Sequence, residues 1–139
     1  TCQYYSGQMN VLWSKSYEEI GGEMWSLRPV SDGGFIMSLG NATNCVNSQC
    51  DYLGQLIRLD ANGDIIWEQK YEGSSALYSA IETSDGGFIA AGYFECNTSM
   101  DCYPDMYILK IDSDGVVQWS KTESSANNNN DWARDVIQI

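Results

Sequence analysis

The chain contains itself twice. Ser31-Asp32-Gly33-Gly34-Phe35-Ile36 returns 53 residues later as Ser84-Asp85-Gly86-Gly87-Phe88-Ile89. Arg58-Leu59-Asp60-Ala61-Asn62-Gly63 returns 52 residues later as Lys110-Ile111-Asp112-Ser113-Asp114-Gly115. Trp13, Trp67 and Trp119 stand 54 and 52 residues apart, and the first two open Trp-Ser-Lys-Ser-Tyr17 and Trp-Glu-Gln-Lys-Tyr71. Several markers in one order at one period restrict the fold to a repeat architecture. The pattern divides the chain into an extension at 1–10, a repeat at 11–66, a second at 67–118 and half a repeat at 119–139.

Each repeat reads as four short strands. In the second repeat these cover 64–71, 76–83, 87–94 and 106–112. Apolar residues alternate within them, and Gly, Asn, Asp and Ser separate them, which is the signature of an antiparallel meander. No long window has helical periodicity. The Asp-Gly-Gly triplets supply positive-φ positions for tight turns. Asp60 and Asp112 open the next turns, where an Asp side chain folds back on nearby amides. Asp60, Asn62 and Asp64 also sit at the alternate positions a calcium loop uses. The second copy has Val116 in place of Asp64, and no distal glutamate follows, so these residues read first as turn formers. No other metal site is expected, and no cofactor.

A four-stranded unit of about 50 residues, repeated, has the dimensions of a β-propeller blade. The expected fold is therefore all-β, with propeller-like antiparallel blades in about two and a half repeats. The Asp-Gly-Gly-Phe-Ile, Lys-Ile-Asp-x-Asp-Gly and Trp-x-x-x-Tyr pieces resemble the repeats of large secreted bacterial and archaeal propeller-like proteins. The resemblance spans nearly all of 11–139. It implies an extracellular surface protein and carries no catalytic residues with it.

Two and a half blades do not close a propeller, which takes about four. Open sheets leave edges that invite pairing. The chain opens on Thr1-Cys2 rather than Met, which reads as a processed or partial product. Three outcomes follow: a slice of a longer protein such as a secreted adhesin, a ring of several chains, or a filament. In the filament, residues 119–139 would complete a neighbour's blade.

Cys45/Cys50 and Cys96/Cys102 occupy the same loop of successive repeats, which favours a local disulfide in each and an oxidising compartment. Cys2 is left over for a bond between chains. The same loops carry the glycosylation sequons Asn41-Ala-Thr43 and Asn97-Thr-Ser99.

The recurring Trp13, Trp67 and Trp119 suit wedges between blades. Trp25, Tyr78 and Trp132 lie in the strand that follows and are candidate sugar-stacking residues. The chain has 139 residues, with 19 acidic and 7 basic side chains and no histidine. The net charge of −12 opposes nucleic-acid binding. The lack of histidine removes Ser-His-Asp and Cys-His catalysis and His-ligated zinc. Pairs such as Glu18/Glu19 and Asp101/Asp105 have no partner base to make them catalytic. No run approaches the roughly 20 apolar residues of a membrane span. The leading expectation is a non-enzymatic, extracellular structural protein that self-assembles through strand pairing between subunits. The alternatives are a carbohydrate-binding propeller assembled from short chains, with glycan partners, and a fragment of a large secreted adhesin.

Overall fold

A computed structural model describes residues 14–18, 20–46, 49–94, 103–125 and 130–138, with 42–46 and 49–51 as backbone only. Within these residues the fold is all-β, with two four-stranded antiparallel sheets and no helix. Sheet A is β1 (Glu23–Pro29), β2 (Phe35–Val46), β3 (Gln49–Leu59) and β4 (Ile65–Tyr71). Sheet B is β5 (Ala76–Glu82), β6 (Phe88–Phe94), β7 (Asp105–Ile111) and β8 (Val117–Glu123). In each sheet the spatial order follows the chain.

The sheets group the strands one position later than the repeat boundaries do. Residue 67 lies in β4, which pairs with β3 through Arg58↔Trp67 and Gly54↔Tyr71. Residue 119 lies in β8, which pairs with β7 through Lys110↔Trp119. The short connection from Tyr71 to Ala76 is the link that changes sheets. Ser74 and Ser75 are buried in it, and Gly54 N–H donates to the Ser74 carbonyl at 3.0 Å.

The Asp-Gly-Gly turns show why both glycines are needed. Gly33 and Gly86 have φ of 90° and 80°, where a side chain strains the backbone. Gly34 and Gly87 serve a different end. A Cβ on Gly34 would collide with the Leu59 carbonyl and the Arg58 guanidinium, and one on Gly87 with the Ile111 carbonyl and the Lys110 amine. The second glycine thus leaves room for the cation of the neighbouring strand. Arg58, only 5% exposed, passes through that gap to pair with Asp32 at 2.6 Å. Lys110 reaches Asp85 at 3.0 Å in the same way.

Central strands are covered on both faces. Ile36 and Leu56 face sheet B and join Leu77, Phe88, Leu109 and Ile111 in one core. Met37, Leu39, Ile57 and Leu59 form a second core on the other face of sheet A. Burying a side chain of this size contributes roughly 1.5–3 kcal/mol. Strands covered on both sides read as continuous apolar runs, as in Leu56-Ile57-Arg58-Leu59. The edge strand β8 is exposed along its whole length.

The recurring tryptophans part company. Trp67 is half-buried, edge-on to Phe88 at 5.9 Å, with its indole N–H on the Ser113 carbonyl at 2.9 Å. Its ring thus lies between the two sheets. Trp119 occupies the same position in sheet B and is 48% exposed, because no third sheet follows it among the described residues. Trp13 lies outside the described residues.

Candidate functional site: the repeated joint and the aromatic seam

Two ties hold sheet B to sheet A, and each recurs one repeat away. The Tyr71 hydroxyl donates to the Gly115 carbonyl at 3.0 Å, and the Tyr17 hydroxyl donates to the Gly63 carbonyl at 2.7 Å. Burial pushes the Tyr71 phenol pKa upward, and the negative charge of Asp112 adds to the shift. Glu82 accepts from the Ser31 N–H and hydroxyl at 2.7 and 2.8 Å. Gln138 accepts from the Ser84 N–H at 3.0 Å, and its amide donates to the Ser84 hydroxyl at 3.0 Å. Residues 14–18 therefore meet sheet A as β4 meets sheet B, and residues 130–138 meet sheet B as β5 meets sheet A.

The described residues of the segment 119–139, expected as a strand donor, bond within their own chain. Residues 119–123 pair with β7. Asp131 N–H donates to the Pro104 carbonyl at 2.7 Å and Ala133 N–H to the Gly92 carbonyl at 3.1 Å. Asp135 accepts from the Ser79 hydroxyl at 2.5 Å and pairs with Arg28 at 3.4 Å. These donors hold its pKa below the ordinary value, led by the Ser79 hydroxyl.

On the far side of sheet A, a groove of about 360 Å³ opens between residues 15–17, Ile20 and strands β1–β3. Tyr17, Ile20, Met24, Leu27, Met37 and Leu39 supply its apolar walls. Met24 and Leu27 are exposed.

Trp25 in β1, Tyr78 in β5 and Trp132, which follows β8 outside any strand, line one seam. Trp25 lies edge-on to Tyr78 at 4.8 Å, and Tyr93 stacks on Tyr78 at 5.6 Å. The Arg134 guanidinium bridges onward, 4.5 Å from the Tyr78 ring centre and 5.0 Å from that of Trp132. Trp25 and Trp132 are 45% and 42% exposed. Tyr78 is half-buried, with Trp25, Tyr93 and Arg134 against it. Sequence reasoning missed Arg134. Its place two residues after Trp132, within Trp-Ala-Arg, was the available signal.

The turn reading of Asp60 holds. Its carboxylate accepts from the Asn62 and Asp64 N–H groups at 2.8 Å each, which lowers its pKa, with the Asp64 amide as the largest cause. Asp112 does the same for Asp114 and Val116. Asp64 pairs with Lys15. Among the described residues no cluster of three or more His, Cys, Asp or Glu side chains could hold a metal ion.

Asn41 lies within β2. The side-chain nitrogen that would carry a glycan donates to the Gln55 side chain at 3.2 Å, and the residue is 8% exposed. A glycan on this nitrogen would have to displace that bond and open the position to solvent. Cys45 and Cys50 lie in β2 and β3 at the tip of one hairpin, between the backbone pairs Thr43↔Asp51 and Val46↔Gln49. Cys2, Asn97, Cys96 and Cys102 lie outside the described residues.

Comparison with known proteins found no matching family model and no match among curated proteins. No described helix is long and apolar enough to cross a membrane.

Proposed function

We propose that this protein is a non-enzymatic, extracellular structural module, built from propeller-like blades that stack on like blades of neighbouring subunits. The observation that carries this reading is the repeated joint. The Tyr17–Gly63 and Tyr71–Gly115 bonds are one contact used twice, which is how a head-to-tail surface propagates. The partly filled groove beside Tyr17 is the seat such a neighbour would take. Its occupant is a sheet of the same repeat on a second subunit, because the repeated joint continues an interface the chain already makes between its own sheets. Edge-strand pairing then adds to face-to-face docking. The cysteine pairs in equivalent loops support an oxidising location, with each pair bracing its own hairpin.

Light scattering after size exclusion and negative-stain microscopy test this reading at rising salt. Self-repulsion at a net charge of −12 weakens with screening, so association should strengthen as salt rises. Met24→Glu and Leu27→Glu change exposed groove residues and should leave a folded monomer. A wild-type chain that stays monomeric at all concentrations and salts would overturn the proposal.

A further inference from the structure

With 19 carboxylates for 7 cations, every Lys and Arg has a surplus of anionic partners. Lys15, Arg28, Arg58, Lys110 and Lys121 each take one, pairing with Asp64, Asp135, Asp32, Asp85 and Glu123. Among the described residues Lys70 and Arg134 form no such pair. Arg134 is nevertheless held in place, because its guanidinium lies against the rings of Tyr78 and Trp132. A guanidinium held by aromatic rings keeps N–H groups for a further partner. Those N–H groups form a fork that matches a carboxylate with two parallel hydrogen bonds.

The rings around this fork supply the second half of a site. Trp132 and Trp25 keep large exposed surfaces on either side of Tyr78 and Arg134. An exposed indole next to a fixed, unpaired guanidinium fits a ligand with one apolar face and one anionic group. A pyranose ring bearing a carboxylate has both. A polyanion fits poorly, because the protein's own charge repels it.

We propose that Trp132, Arg134 and Trp25 form a binding site for oligosaccharides carrying an isolated uronate. The uronate carboxylate takes the Arg134 fork, the sugar's C–H face lies on Trp132, and Trp25 extends the platform to the next sugar unit. The site is independent of the stacking proposed above, since the groove lies along Tyr17, Met24 and Leu27 and shares none of these three residues.

Calorimetric titration of the full chain decides the matter, using a neutral-backbone oligosaccharide with a single glucuronate and its carboxyl-reduced form as probes. The acidic form should bind about tenfold or more tightly than the reduced form, the discrimination expected from one charge-assisted bidentate contact. Arg134→Gln should abolish that discrimination while thermal unfolding stays close to wild type. Arg134→Lys should keep only part of it, because an ammonium lacks the fork. Trp132→Ala should weaken both forms, and indole fluorescence should report the acidic sugar in the wild type alone. Equal binding of the two sugars, no binding of either by folded protein, or unchanged discrimination in Arg134→Gln would overturn the site. An Arg134→Gln variant that loses only thermal stability would assign the residue to holding 130–138 on sheet B and likewise overturn it.

Discussion

Glu82, at the end of β5, accepts both the backbone N–H and the hydroxyl of Ser31 in the β1–β2 turn of the other sheet, at 2.7 and 2.8 Å. One repeat on, Gln138 stands in the same relation to Ser84, so an amide oxygen can perform the task. Glu82→Gln should therefore cost little. Glu82→Ala removes both acceptors and should cost about 1–2 kcal/mol. Chemical denaturation of the two variants beside wild type measures the difference.

Gly54 sits where β3 faces the connection between the sheets. A Cβ there would stand 2.3 Å from the Ser74 hydroxyl oxygen and 2.8 Å from Leu77. Gly54→Val should force the sheets apart and lower stability by about 1–3 kcal/mol. The same change at Gly86, whose Cβ would meet no atom within 4 Å, tests backbone strain alone. Comparing the two unfolding curves separates crowding from strain.

Acid should loosen the Asp-Gly-Gly turns. Asp85 accepts from the Thr83 hydroxyl, the Lys110 amine and the Gly87 N–H, which together hold its pKa at about 2. Asp32 is lowered as well, first by the Gly34 amide and then by Arg58. A carboxylate depressed in the folded state contributes stability above its unfolded pKa, about 3.9, and loses that contribution as pH falls through the folded value. Stability should drop between about pH 4 and pH 2. Asp85→Asn should be less stable than wild type at pH 7, with the gap shrinking across that window. Thermal melts at a series of pH values give both curves.

Alkali should act on the joint. The Tyr71 phenol is raised by burial. A raised acid binds its proton more tightly when folded, so its contribution is full below the unfolded value, about 10, and declines above it. Tyr71→Phe should cost about 1 kcal/mol at pH 7 through loss of the bond to Gly115, and should unfold less steeply above pH 10. Absorbance of tyrosinate during an alkaline titration should show one late-ionising group in wild type that the variant lacks.

Much of this architecture was legible because turn chemistry is local. Asp-Gly-Gly and Asp-x-Asn-Gly announce hairpins whatever surrounds them, so the strands and their period could be read from the residues. Which hairpin stays within a sheet could not. The link at 60–64 and the link at 71–76 are both rich in turn residues, and only the burial of Ser74 and Ser75 distinguishes the one that crosses. Facing was equally hidden. The Asn41 sequon reads as a surface loop, yet its backbone pairs with Leu53 inside β2–β3 and its amide turns inward to Gln55. Trp25, Tyr78 and Trp132 could be chosen from their repeat positions. The guanidinium that links the last two has no such support from the repeat, because Leu27 and Ala80 stand two residues after the earlier aromatics.

The two tyrosine bonds, Tyr17 to Gly63 and Tyr71 to Gly115, bear on inheritance as well as on stability. A surface that fits its own copy does not register how many copies precede it. A gene of such units can gain or lose one by unequal exchange, and each remaining junction still meets the partner it was shaped for. Copy number is then free to drift between relatives, and the side chains at the junctions, rather than the length of the protein, are what selection can hold constant.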